Sequence, residues 1–281
     1  MPLRKLQFKP GVNQEITSYS NEGGWRDCDK IRFRFGYPEK IGGWEKYSSN
    51  TYQGSARALH NWIALDGSNY LGVGTHLKYY IEEGQVFTDI TPIRSTTGAG
   101  DVTFAATNGS TTITVSDTGH GAVENDFVTF SGAASLGGNI TAVVLNIEYQ
   151  VVSIVDANSY TITASVAANS SDTGNGGSST VGAYQINVGL DSVVGGTGWG
   201  AGTWGRGGWG SAEPNGLTTT TEIRLWSHDN FGEDLLINAR DSGIYYWDRT
   251  NNLSTRAIEL STLSGTKRSV PTIAKQILVS D

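Results

Sequence analysis

The chain carries the same four-strand pattern twice, and this repeat limits its fold more than any other feature. One copy runs HNWIALDGSNYLGVGTHLKYYIEEGQVFTDITPI, residues 60–93; the other runs IRLWSHDNFGEDLLINARDSGIYYWDRTNNLSTRAIEL, residues 223–260. In each, short aromatic and β-branched runs alternate with turn residues in the same order. Trp62 answers to Trp226, Lys78-Tyr79-Tyr80-Ile81 to Ile244-Tyr245-Tyr246-Trp247, and Val86–Thr91 to Thr255–Leu260. A repeated unit of four short strands is the pattern of a β-propeller blade. Two blades do not close a propeller, so the sequence predicts an incomplete set. The closing stretch SVPTIAKQILVSD is expected to open a third blade, and the chain to be the N-terminal portion of a longer polypeptide.

Composition agrees with strands. The 281 residues include 37 glycines, and only 17% are charged. Gly and Asn tolerate the positive φ of tight turns, while the abundant Val, Ile and Thr favour a pleated backbone. No stretch places apolar residues at helical spacing for more than about one turn. The expected class is all-β: propeller blades, incomplete in this chain, with an inserted small β-sandwich or β-barrel domain.

The insertion is read from charge. Twelve basic residues lie in 1–94 and eight in 206–281, whereas the stretch between Arg94 and Arg206 has eight acidic residues and no basic one. The net charge of −7 is therefore essentially that of the middle segment. A break this sharp marks a separate domain. The expected division is 1–55, an N-terminal β region; 56–94, the first blade; 95–190, the inserted domain; 191–222, a Gly/Trp-rich connector; and 223–281, the second blade and the start of a third. Within the insertion, VTFAA and TTITVSD flank Asn108-Gly109, a strong hairpin signal. NDFVTFSG, EYQVVSIVD and SYTITASVA are expected strands, and ANSSDTGNGGSST a mobile tip. The insertion is expected to project from the blades, which should still fold without residues 98–187.

Two stretches are candidates for contact with other molecules. In KIRFRF, Lys30, Arg32 and Arg34 alternate with Ile31, Phe33 and Phe35, which in a strand places three cations on one face. Such a ladder serves pairing with Glu39, Glu45 or a neighbouring subunit, or contact with DNA phosphates; protein pairing is favoured, because an acidic chain with one short basic strand is not a tight nucleic-acid binder. Tyr37-Pro38 is expected to turn the chain afterwards. In GGTGWGAGTWGRGGWGSA, Trp199, Trp204 and Trp209 recur every five residues among glycines. They read as a connector pinned by buried rings, or as a stacking platform for sugars or bases.

Catalytic chemistry is not visible. No nucleophile elbow, P-loop, zinc-protease or EF-hand spacing occurs. His60, His76, His120 and His228 are scattered, without a second ligand at metal spacing. DTGNGG at Asp172 is a single copy of a Gly/Asp pattern found in calcium-binding repeats, which is a weak signal. The pairs Glu82-Glu83 and Glu233-Asp234 point to opposite strand faces and are expected in solvated turns rather than in an acid/base site. The lone Cys28 excludes an internal disulfide framework. The expectation is no enzyme, no cofactor and no metal. No segment is apolar enough to span a membrane.

The stretches NEGGWRDCDKIRFRFGYPEKIGGW (21–44), GWGAGTWGRGGWGSA and LWSHDNFGEDLLINARDSGIYYWD resemble tail nozzle proteins of short-tailed bacteriophages, the tail tubular protein B class. The insertion is similar to small β domains of phage tail proteins. The resemblance implies a virion tail protein, assembled in the bacterial cytoplasm, that forms a homo-hexameric tube below the portal and adaptor. Double-stranded DNA would leave through its lumen without tight binding. Adaptor, portal-proximal and other tail proteins are the implied partners. The alternative reading is a tail adhesin or glycan-binding propeller that uses the Gly/Trp tract.

Overall fold

The computed structural model describes residues 8–43, 45–189, 223, 225–263 and 269–280. The chain divides into two compact units, 1–49 and 50–281.

The smaller unit is built on Trp25. Its ring meets Phe8 at 5.9 Å and the edge of Phe33 at 6.0 Å. The buried Asn21 amide donates to the Asn13 and Trp25 carbonyls, both at 3.3 Å, closing the loop that holds the indole. Strand β1 (Ile31–Arg34) pairs antiparallel with β2 (Tyr37–Lys40). The turn between them is Phe35-Gly36, with φ of 51° and 83°. Two positive φ values in a two-residue loop match the right-handed twist of a hairpin. Tyr37-Pro38 therefore begins the second strand instead of turning the chain, a correction to the sequence expectation.

The larger unit contains both four-strand repeats as antiparallel meanders. The first is β3 (Ala56–Ile63), β4 (Asn69–Thr75), β5 (Tyr79–Glu83) and β6 (Val86–Asp89), hydrogen-bonded in that order. Two four-stranded sheets separate it from the second. One contains β7 (Ile93–Thr96), β10 (Phe127–Ser131), β11 (Glu148–Gln150) and β14 (Val181–Gln185), in the order β11-β10-β14-β7. The other contains β8 (Thr103–Ala106), β9 (Thr112–Ser116), β12 (Ser153–Asp156) and β13 (Ser159–Thr163), in the order β12-β13-β9-β8. A short helix, α1 (Ala142–Leu145), precedes β11. The second meander is β15 (Trp226–Phe231), β16 (Asp234–Ala239), β17 (Tyr245–Trp247) and β18 (Ile258–Glu259), again in sequence order. The fold is all-β, and none of these sheets closes into a barrel among the described residues.

The two middle sheets face each other across one core. Phe104 of β8 meets the edge of Phe130 of β10 at 5.0 Å, and the buried hydroxyls of Tyr160 and Tyr184 join at 2.8 Å. Around them Val115, Ile140, Leu145 and Ile162 are fully buried. The run EYQVVSIVD, read from sequence as one strand, is two: it changes sheets at Val151-Val152, the first buried and the second exposed. That corner lets one run contribute to both layers. The tip at 168–180 is tied down rather than free. Asp172 accepts the Ile140 amide at 3.2 Å and the Asn169 amide, and Thr180 Oγ1 donates to the Gly176 carbonyl at 3.0 Å.

The two meanders share the second core. Leu235, Ile237 and Trp247 pack with Tyr79, Ile81 and Ile90, and each buried aliphatic side chain contributes about 1.5–3 kcal/mol. Ile186 and Val188, just after β14, enter this same core. Among described residues 269–280 there is no strand. Ala274 bridges Ser242, and the Ile277 and Val279 amides donate to the side chains of Ser227 and Asp229.

Candidate functional site

Side chains with chemistry converge where the meanders meet. β3 and β15 lie side by side, each presenting alternate residues to the other: His60 and Trp62 from one, Trp226, His228 and Asn230 from the other. Their rings form a continuous stack. His60 lies 5.7 Å from Trp62 and 4.8 Å from His228, while Tyr79 meets Trp226 edge-on at 4.9 Å. The approach of the sheets depends on glycine. A Cβ on Gly74 would lie 2.4 Å from the Trp226 ring, and one on Gly72 would lie 2.3 Å from the Tyr79 hydroxyl. The LGVGT run of β4 thus makes room for two large rings on its inner face, and the Trp226 indole donates to the Thr75 carbonyl at 2.7 Å.

The histidines here have hydrogen-bond partners within the seam. His60 Nε2 contacts Asn230 Oδ1 at 2.6 Å. The Tyr79 hydroxyl lies 3.0 Å from His228 Nδ1, and the Leu59 backbone bonds the same ring. Burial, with the His60 ring adding repulsion, lowers the pKa of His228 from 6.5 to about 4. Burial likewise pushes the Tyr79 phenol far above its ordinary value. The pair therefore stays neutral at physiological pH.

A buried ionic junction lies beside this seam. Lys78, only 3% exposed, bonds Asp89 at 3.0 Å and also Glu148 of the middle sheets, with the ring of Phe127 4.3 Å from its ammonium. Arg256 of the second meander reaches Asp89 at 3.0 Å and Glu148 at 3.5 Å. The Gln185 amide completes the Glu148 carboxylate at 2.5 Å. Burial opposes ionisation of Asp89, but the two cations outweigh it and hold the carboxyl below the usual range. This cluster binds both meanders and the sandwich together.

The expected carboxylate pairs are structural, and not all solvated. Glu82 is buried and accepts the Gln85 amide at 2.5 Å, while Glu233 crosses the seam to accept the Leu65 amide at 2.5 Å. Asp234 takes the Tyr246 hydroxyl and the Arg249 amide. Turn donors in need of acceptors account for these positions better than solvation does.

The basic ladder is shorter than its sequence implies. Arg32 and Arg34 lie exposed on one face of β1, and Arg32 bonds Glu39 across the hairpin at 3.1 Å. Lys30 precedes the strand at φ 58° and pairs loosely with the adjacent Asp29, so it leaves the ladder. Trp199, Trp204 and Trp209 lie outside the described residues. Sequence reasoning missed the seam and the junction, whose pairs His60–Asn230 and Lys78–Glu148 stand 170 and 70 positions apart. Among described residues no cluster of three or more His, Cys, Asp or Glu could hold a metal, and no helix is long and apolar enough to cross a membrane.

No family model matches the chain, and no curated protein does. Among solved structures it is similar to the phage phi92 endosialidase, at 14% identity over 72% of this chain, with a TM-score of 0.25. The chain spans about 30% of the length of that protein. A likeness at that level carries no argument about fold or activity.

Proposed function

We propose that this protein is a structural component of a bacteriophage tail, of the nozzle class, whose copies assemble into a ring around the DNA exit path. The observation that carries the reading is the Lys78–Asp89–Glu148–Arg256 junction. It ties two meanders and a sandwich together through the buried Lys78 and its part-buried partners, which suits a rigid structural scaffold. The resemblance of residues 21–44 and of the second meander to nozzle proteins names the kind of scaffold. Two four-strand meanders that share one apolar core are compatible with neighbouring propeller blades. The sparse basic residues suit a lumen through which DNA slides without being gripped.

Electron microscopy of virions carrying the tagged protein tests this. Six-fold rings beneath the portal are expected; a trimer at the tail tip overturns the reading. An adhesin would instead bind a glycan array and lose that binding in Trp204→Ala.

A further inference from the structure

The β1–β2 hairpin has features that packing within its own unit does not use. Phe35 occupies the left-handed region at φ 51°, where a bulky side chain is strained and Asn or Gly is ordinary. Its ring is nonetheless 88% exposed, and Tyr37 beside it is 76% exposed. The Arg34 guanidinium stacks 5.5 Å from the Phe35 ring and has no carboxylate partner among the described residues. Every residue of β2 is exposed. Phe, Tyr and Arg on a protruding turn are the residue types that anchor protein interfaces. A strained aromatic kept in solvent is a cost that a partner can offset.

The sandwich carries the complementary surface. Strand β12 is an edge, with one side unpaired in its sheet. Val152, Ile154 and Val155 are exposed along it, at 53%, 36% and 59%. An exposed edge with aliphatic side chains is a template for association. Beside it Asp101, Asp117, Asp156 and Asn158 line a cleft of about 340 Å³. The stretch from 95 to 205 holds no basic residue, so the charge of this face is opposite to that of the hairpin tip.

We propose that the Arg34–Tyr37 hairpin tip of one chain docks on the β12 edge and acidic cleft of a second copy. Two different surfaces meet in such a contact, so it is heterologous and propagates from copy to copy, closing into a ring when the rotation allows. The contact deepens the tube reading and rests on it for ring closure alone.

The test uses the full chain with Phe35→p-benzoylphenylalanine, as an equimolar mixture of isotope-labelled and unlabelled protein, irradiated and mapped by mass spectrometry. Adducts joining a labelled to an unlabelled chain, within residues 101–118 or 152–159, are expected. Adducts confined to single chains, or mapping elsewhere, overturn the contact. In parallel, Phe35→Gly relieves the positive-φ strain, so its melting temperature should equal or exceed that of the parent. Self-association by sedimentation should still weaken roughly tenfold or more, as for loss of an interface anchor. Arg34→Ser should do the same, and added salt should weaken the parent's association. Unchanged association in both variants sinks the hairpin contact while leaving the tube reading intact. Intermolecular adducts in open filaments, without rings in virions, sink the tube reading and leave the contact standing. Loss of DNA binding in place of self-association assigns the hairpin to nucleic acid and overturns the proposal.

Discussion

Lys78 and Glu148 stand 70 positions apart and bond to each other in the interior, one at the head of β5 and the other on the sandwich. An ammonium only 3% exposed must have carboxylate partners, because an isolated charge costs several kcal/mol to bury. The sandwich thus supplies a counter-ion to the first meander.

Replacing Lys78 by Ala should lower unfolding stability by about 3–5 kcal/mol, since Asp89 and Glu148 would then face Arg256 alone. Glu148→Gln should cost less, about 1–2 kcal/mol, because Lys78 keeps Asp89 and the amide still meets Gln185. Urea unfolding of both variants checks the order, and equal costs would show that Glu148 carries the cluster.

Removing 98–187 takes away Glu148 and also Ile186, which packs among the meander side chains. The expectation from sequence, that the blades still fold without residues 98–187, thereby gains a cost in stability. The deleted protein should lose several kcal/mol, of which Ile186 accounts for about 2–3. A shorter excision of 98–181, bridged by two glycines, keeps Ile186 and should melt higher. Thr97 and Gly182 are already joined by a 3.0 Å backbone bond, which makes this splice short. Thermal melts of the two deletions check it.

The seam should be sensitive to acid. His228 has a folded pKa of about 4 against 6.5 for the free side chain, so the unfolded chain binds the proton first as pH falls. Stability is then full above about 6.5 and declines as pH drops toward about 4, by roughly 1–2 kcal/mol after allowance for the ring's partial exposure. The charge would arise facing His60, with Tyr79 and Asp229 as its other titratable neighbours. His228→Gln should flatten this slope in melts between pH 4 and 7; an unchanged slope places the sensitivity elsewhere.

Gly74→Ala should destabilise by about 1–3 kcal/mol, because the new methyl would meet Trp226 at 2.4 Å in a filled seam. Gly84→Ala serves as the control. Its Cβ meets nothing, so it should cost only the strain of a positive φ. Denaturant midpoints separate the two.

Much of the strand pattern is legible in the chain. Alternation of aromatic and β-branched residues with Asn- and Gly-containing turns marks the meanders and most sandwich strands, because pleat period and turn chemistry are local properties. Charge blocks mark a separate middle segment for a similar reason, since composition is additive along the chain. Several local readings still failed, and three of them show why. The Phe35-Gly36 turn was displaced by a proline that β2 accommodates on an exposed edge; EYQVVSIVD gives no sign of its change of sheet; and Glu82 looks like a surface residue until its turn closes over it.

What the chain alone determined is that it is all-β, with a doubled four-strand unit. What tertiary structure decided is which chemistry those units expose. His60 and His228 look like isolated residues until β3 meets β15, and Lys78 looks like a surface lysine until Glu148 arrives from another sheet. Strand propensity acts over a few residues, whereas desolvation and charge pairing depend on groups brought together across the fold, a distance that sequence does not measure.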